Sequence, residues 1–229
     1  MLNHSGHRKR LRNKFLTKGM DSLTDDQALE MLLFHALPRV DTNPIARSLI
    51  AQFGSLSAVL DANFSELTAV EGIGENTAML ISMVTPLARR YMIGRNKPGS
   101  RLTTTQACGE YLIPFFFGAR TELVYLLCLD AKCKVLLCKK LEEGTVNSAN
   151  FSIRKAAEVA ISTHATSVIL AHNHTSGMPE PSQADYSCTC QLKKALEPLE
   201  ITLTDHIIVT DGSFISLAER GLLDLDKSF

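Results

Sequence analysis

No stretch of this 229-residue sequence reads as a membrane span, because none approaches the ~18 consecutive apolar residues that a spanning helix needs. Acid is absent from the first 18 residues, which carry Arg8, Lys9, Arg10, Arg12, Lys14 and Lys18. No apolar segment of suitable length follows, so this start is not a secretory signal. Net charge is also lacking. Residues 1–100 hold 12 Lys+Arg against 9 Asp+Glu and residues 101–229 hold 12 against 15, a +3 and −3 imbalance that favours no class of partner. The basic start can contact phosphates or can be the solvated first turn of a helix. Familiar zinc-ribbon spacing is missing too. Cys133-x4-Cys138 and Cys188-x-Cys190 fit no such pattern, and Cys108 and Cys128 lie in apolar runs. Reduced thiols in a cytosolic protein are the expectation.

What is present is the balance of a globular protein, 45% apolar and 21% charged, long enough for one large domain or two small ones. Residues 1–92 read as helical. Thr24 precedes Asp25 and Asp26 and the apolar face Ala28, Leu29, Met31, Leu32, Leu33; Asn43-Pro44 opens a helix that stops at Gly54; Ser65 caps Glu66 to Val70. Gly72-Ile73-Gly74 then turns the chain into another helix, a helix-hairpin-helix pattern whose bare amides can hold a DNA phosphate. Glu71 and Glu75 flank that turn where a DNA binder would carry Lys or Arg, and a packing corner is the competing reading. Residues 93–101, IGRNKPGSR, read as an interdomain linker.

From residue 102 to 229 the period changes and strands alternate with helices, which predicts an α/β domain with helices packed on a mixed sheet. Thr104 or Thr105 caps a helix that ends in Phe115-Phe116-Phe117. Strands are expected at Glu122 to Leu129, Val135 to Leu141, Ser167 to Ala171, Ile201 to Val209 (one strand or a pair) and Ser213 to Leu217, with helices at Ile153 to Thr163 and from Ser182 to about Leu196.

The stretch SVILAHNHTSGMPEPSQAD, Ser167 to Asp185, carries the chemistry. His172 and His174 leave the end of an apolar strand two positions apart, on one face. Pro179-Glu180-Pro181 breaks the strand, and Ser182 opens a helix with Asp185 in its first turn. Two imidazoles and a carboxylate, with one position left for water, are the ligand set of a catalytic zinc. Ser182-x-x-Asp185 is equally a capping box.

His172-Asn173-His174 with Ser182 and Asp185 at this spacing resembles the JAMM (MPN-plus) metalloprotease signature. The flanks GTVNSA (144–149), DHIIV (205–209) and AERGLL (218–223) are similar to those of the RadC family, historically named for DNA repair. That resemblance implies a JAMM/MPN-like domain behind a helical N-terminal half, with one zinc on His172, His174 and Asp185. It implies a Glu base on an earlier strand. Glu122, 50 residues ahead of His172 at the start of an apolar strand, matches that place, while Glu142 and Glu143 are rivals by composition and fall in a polar turn. Ser182 would bond an oxyanion or orient the site. Thr175 stands where Pro is common, Lys155 where Glu is usual, and His35-Ala36-Leu37-Pro38 where a Gly-containing turn is typical. His206, His164 and Asn147 read as structural.

The function implied is a zinc-dependent peptidase or isopeptidase. The competing class is a DNA-binding accessory protein whose metal is structural, with Gly72 and Gly74 at its nucleic-acid contact. Three letters H-N-H in a row do not make an HNH nuclease, whose residues are spread over a ββα unit.

Overall fold

The computed structural model describes residues 4–97, 99–144, 151–175, 177–210 and 212–223. Asn147 and most of the GTVNSA stretch lie outside them. The chain divides into two compact units, residues 1–88 and 89–229. No helix among the described residues is long and apolar enough to cross a membrane.

The first unit is helical: α1 (His4–Lys18), α2 (Asp25–Ala36), α3 (Asn43–Phe53), α4 (Leu56–Asp61), α5 (Phe64–Thr68) and the beginning of α6 (Glu75–Arg95). Its core is Leu29, Leu33, Ala46, Leu49, Val59, Leu67, Ile73, Ala78 and Ile81. Asn63, not Ser65, caps α5: its side chain accepts from the Glu66 amide at 2.9 Å, and the Glu66 carboxylate returns to the Asn63 amide at 2.8 Å. Asn63 and Ser65 are both good caps, and this reciprocal pair decides between them. Much of the basic start is engaged inside the unit. Arg8 donates to the carbonyls of Leu37 and Pro38, Arg8 and Arg12 lie over the Phe34 ring, and Lys14 donates to Gln27.

The second unit is a five-stranded sheet between helices: α7 (Thr105–Phe116), β1 (Glu122–Leu129), β2 (Val135–Gly144), α8 (Ile153–Ser162), β3 (Ser167–Asn173), α9 (Gln183–Leu196), β4 (Thr202–Thr210) and β5 (Ser213–Ser216). Strand order is β2-β1-β3-β4-β5, antiparallel except for the β3–β4 pair. A parallel pair needs a crossover, and α9 supplies it. The expected strand or strand pair is one long strand, Thr202–Thr210, because Asp205-His206 is buried rather than a turn. Period-two alternation divides the core. Val124, Leu126, Val168 and Leu170 face α8 and α9; Leu123, Leu127, Ile169 and Ala171 face Leu112, Phe115 and Phe116 of α7. Thr104 caps α7 by accepting from the Ala107 amide at 3.2 Å, and Phe117, beyond its end, is exposed while Phe115 and Phe116 are buried.

Candidate metal centre

The alternation that buries Val168 and Leu170 against α9 sends His172 toward the same side, at the carboxyl end of β3. Open α/β sheets bind ligands at that end. α9 answers with a buried stripe at helical spacing: Asp185, Cys188, Thr189, Leu192 and Leu196. The same docking that buries Leu192 therefore carries Asp185 to His172. Ser182 and Asp185 form the capping box, with the Asp185 amide donating to Ser182 Oγ at 3.2 Å and the Ser182 amide donating to Asp185 Oδ2 at 2.7 Å. The Ser182 hydroxyl also donates to Asp185 Oδ2, at 2.6 Å. Capping and orientation of the carboxylate are one arrangement.

His172, His174 and Asp185 converge. Their nearest ligand atoms all lie within 4.8 Å of one another. His172 Nε2 is 2.9 Å from His174 Nε2 and 3.1 Å from Asp185 Oδ1, and His174 Nε2 is 3.4 Å from Asp185 Oδ2. The side chains of His172 and Asp185 are each 2% exposed and that of His174 is 12% exposed, so the cluster opens to solvent on the His174 side. His174 Nδ1 is 2.9 Å from the Met178 carbonyl, which can only accept; the ring therefore donates there, and its neutral form presents Nε2 bare. Bare imidazole nitrogens and a buried carboxylate at these separations repel one another unless a proton or a cation sits among them.

The ionisation of the site expresses the same need. Burial works to raise the Asp185 carboxyl, but the neighbouring His172 and His174 rings and the Ser182 hydroxyl outweigh burial and hold it far below the usual carboxylate range. His174 is pushed above the ordinary histidine value, first by its hydrogen bond with Asp185, against partial burial, with help from the Met178 carbonyl and the charges of Asp185 and Glu122. A proton or a divalent cation satisfies this cluster. The mix of two imidazoles and one carboxylate fits zinc.

Glu122 opens β1, half-buried and within electrostatic reach of His174. Val124 pairs with His172 across the β1–β3 ladder, so Glu122 lies at the same end of the sheet as the histidines. Asn173, a spacer in the sequence motif, holds the chain on both sides of Glu122: its Oδ1 accepts from the Leu123 amide at 2.7 Å, and its Nδ2 donates to the Thr121 carbonyl at 3.1 Å. Glu142 and Glu143 are exposed at the end of β2. His206 is fully buried beside His172, with His206 Nε2 2.8 Å from His172 Nδ1 and His206 Nδ1 2.6 Å from Thr189 Oγ1. Burial drives its ring strongly toward the neutral form. The neighbouring Asp205 accepts from Ser216 and from the Ala218 amide, tying β4 to the turn after β5. Sequence reasoning missed Asn173 and Thr189. Thr189 stands four residues after Asp185, the spacing that would have marked it as sharing that buried face.

Gly72 and Gly74 belong to the helical unit. Gly72 has φ +84, and a Cβ there would meet Ile45 at 3.4 Å. The Gly74 carbonyl accepts from Thr77 and Ala78 at 3.0 Å as α6 begins. Glu71 and Glu75 are exposed on either side.

Comparison with known proteins agrees with this architecture. The family model described as RadC-like JAB domain matches residues 102–222, and the one described as UPF0758 N-terminal matches residues 2–79. A relative from Rhodobacter capsulatus described as a UPF0758 protein is 37% identical over 213 residues, covering 93% of this chain and 100% of the relative.

Proposed function

This chain belongs to the RadC family, and on that premise we propose that it is a zinc-dependent hydrolase of the JAMM type that cleaves a peptide or isopeptide bond. The observation that carries the reading is the convergence of His172, His174 and Asp185, three donors where a catalytic zinc takes three protein ligands and a water. When bound, zinc supplies Lewis acidity and makes water acidic enough to deliver a nucleophile near neutral pH.

The residues divide the remaining work. His172, His174 and Asp185 would hold the ion. Ser182, through its hydroxyl and its amide, keeps Asp185 turned toward the histidines. To stabilise an oxyanion instead, that hydroxyl would have to leave Asp185. Glu122 takes the proton of the attacking water on a carboxylate oxygen and returns it to the departing nitrogen. Asn173 fixes the backbone that carries Glu122. The metal analysis of purified protein, joined to a screen of peptide and isopeptide substrates, tests this. Wild type should carry zinc and hydrolyse. Glu122→Gln should keep zinc and lose about 10²- to 10⁴-fold in turnover, the range of general acid–base catalysis. His174→Ala should lose the metal. Hydrolysis by Glu122→Gln at the wild-type rate would remove the assignment of the base.

A further inference from the structure

His172 is not left to choose which nitrogen faces the site. Thr189 has a single hydroxyl hydrogen, and its Oγ1 lies 2.6 Å from the Asp185 carbonyl, which can only accept. That hydrogen is therefore committed to Asp185, and Thr189 Oγ1 must accept from its other neighbour, His206 Nδ1, also at 2.6 Å. His206 is fully buried, and among the described residues its ring hydrogen-bonds to a hydroxyl and an imidazole and to no carboxylate; a buried cation without such a partner is strongly disfavoured. A neutral His206 with its hydrogen on Nδ1 has a bare Nε2. Across 2.8 Å that nitrogen accepts from His172 Nδ1. The hydrogen of His172 is then on Nδ1, and its Nε2 is bare toward His174 and Asp185.

We propose that His206 and Thr189 are positioning residues that lock His172 in the tautomer a cation requires. The chain of bonds begins at the backbone of one ligand, Asp185, and ends on the ring of another, His172. It thereby joins α9 to β3 through β4 and prepares the site without needing the ion. The proposal rests on the metal-centre reading above. It assigns the DHIIV stretch a task that the three ligands cannot perform: among the described residues Thr189 is the partner that dictates the His206 tautomer, and His206 passes that choice to His172. Outer partners of metal-bound histidines act in this way, and their loss costs about 10- to 100-fold in metal affinity.

The test is Zn²⁺ affinity of the full chain, measured by competition with a chromophoric chelator, together with imidazole nitrogen shifts from long-range ¹H–¹⁵N correlation spectra. Thr189→Val keeps the side-chain shape but cannot accept, and should weaken Zn²⁺ binding about 10- to 100-fold. Thr189→Ser restores the acceptor and should bind within a few-fold of wild type. The spectra of wild type should show His206 and His172 each protonated on Nδ1. Wild-type affinity in Thr189→Val, or a hydrogen on His206 Nε2 in wild type, overturns the lock. Should Thr189→Val fail to fold, the serine variant and the wild-type spectra decide alone. Two failures separate cleanly: Zn²⁺ bound in a His174-dependent way but indifferent to Thr189→Val rejects this inference only, whereas wild type that takes up no Zn²⁺ rejects the metal centre and the lock with it.

Discussion

At the scale of single residues, the candidate site is framed by side chains outside the His172, His174 and Asp185 cluster. Asn173 is the clearest. Removing its amide in Asn173→Ala leaves the buried Leu123 amide and the Thr121 carbonyl without that partner, at a cost of about 1–3 kcal/mol. The expected outcome is lower stability in urea and slower hydrolysis, with Zn²⁺ affinity changed less than the turnover; an equal collapse of both would mean that Asn173 acts through the ligands instead. The cysteines make a second prediction. Burial, with a lesser contribution from the Asp205 charge, pushes the Cys108 thiol up to about 11, and burial with the charge of Asp185 pushes Cys188 to about 12. Thiolate appears only as pH climbs toward these values, so at pH 8 about one Cys108 in a thousand is ionised. Alkylation of native protein at pH 8 should spare Cys108 and Cys188, and mass spectrometry should find both labelled once denaturant is added. The meeting of His172, His174 and Asp185 was legible from spacing, because period two and a helix start are local rules. The roles of Asn173 and Thr189 were not, since each depends on partners far along the chain or on another strand.

At the scale of elements, the helices and strands follow caps and alternation, and the deviations have local causes. β2 extends through Gly144 because Glu142 and Glu143 pair with Val124 and Leu123 of β1; their charge suggested a turn, but an edge strand carries charged residues readily. α7 shows the opposite balance. Gly109 is an unfavourable helix residue, yet a Cβ there would lie 2.2–2.4 Å from three ring atoms of Phe214 on β5. Gly109→Ala gains up to about 1 kcal/mol of helix propensity and loses about 1–3 kcal/mol to overpacking. The net expectation is destabilisation by about 1 kcal/mol in denaturant titrations. In a Phe214→Ala background the sign should reverse, and Gly109→Ala should stabilise. A stabilising Gly109→Ala beside intact Phe214 would show that the ring moves aside freely.

At the scale of the whole chain, each unit has its own core, and the candidate metal centre lies where β1, β3 and β4 meet the start of α9. Fold class was legible because strands alternating with helices leave few arrangements, and the β3–α9–β4 crossover brings the ligand segments together as a consequence of topology. The turn at Gly72 and Gly74 carries a separate proposal, contact with DNA phosphates. Binding through it should weaken steeply as salt rises and should fall in a Gly74→Asp variant; duplex affinity unmoved by that charge would reject it. The structure engages Arg8, Arg12 and Lys14 within the helical unit and leaves Glu71 and Glu75 exposed at the turn, so the proposal draws less support from charge than the sequence suggested.

The proposed metal centre is one cation held by His172, His174 and Asp185. Its most direct test is the metal content of the full chain after exposure to Zn²⁺ and removal of excess, with folding checked by circular dichroism. One Zn²⁺ per wild-type chain, with none retained by folded His174→Ala or Asp185→Asn, is the predicted result. Zinc held equally by wild type and by both folded variants would contradict it.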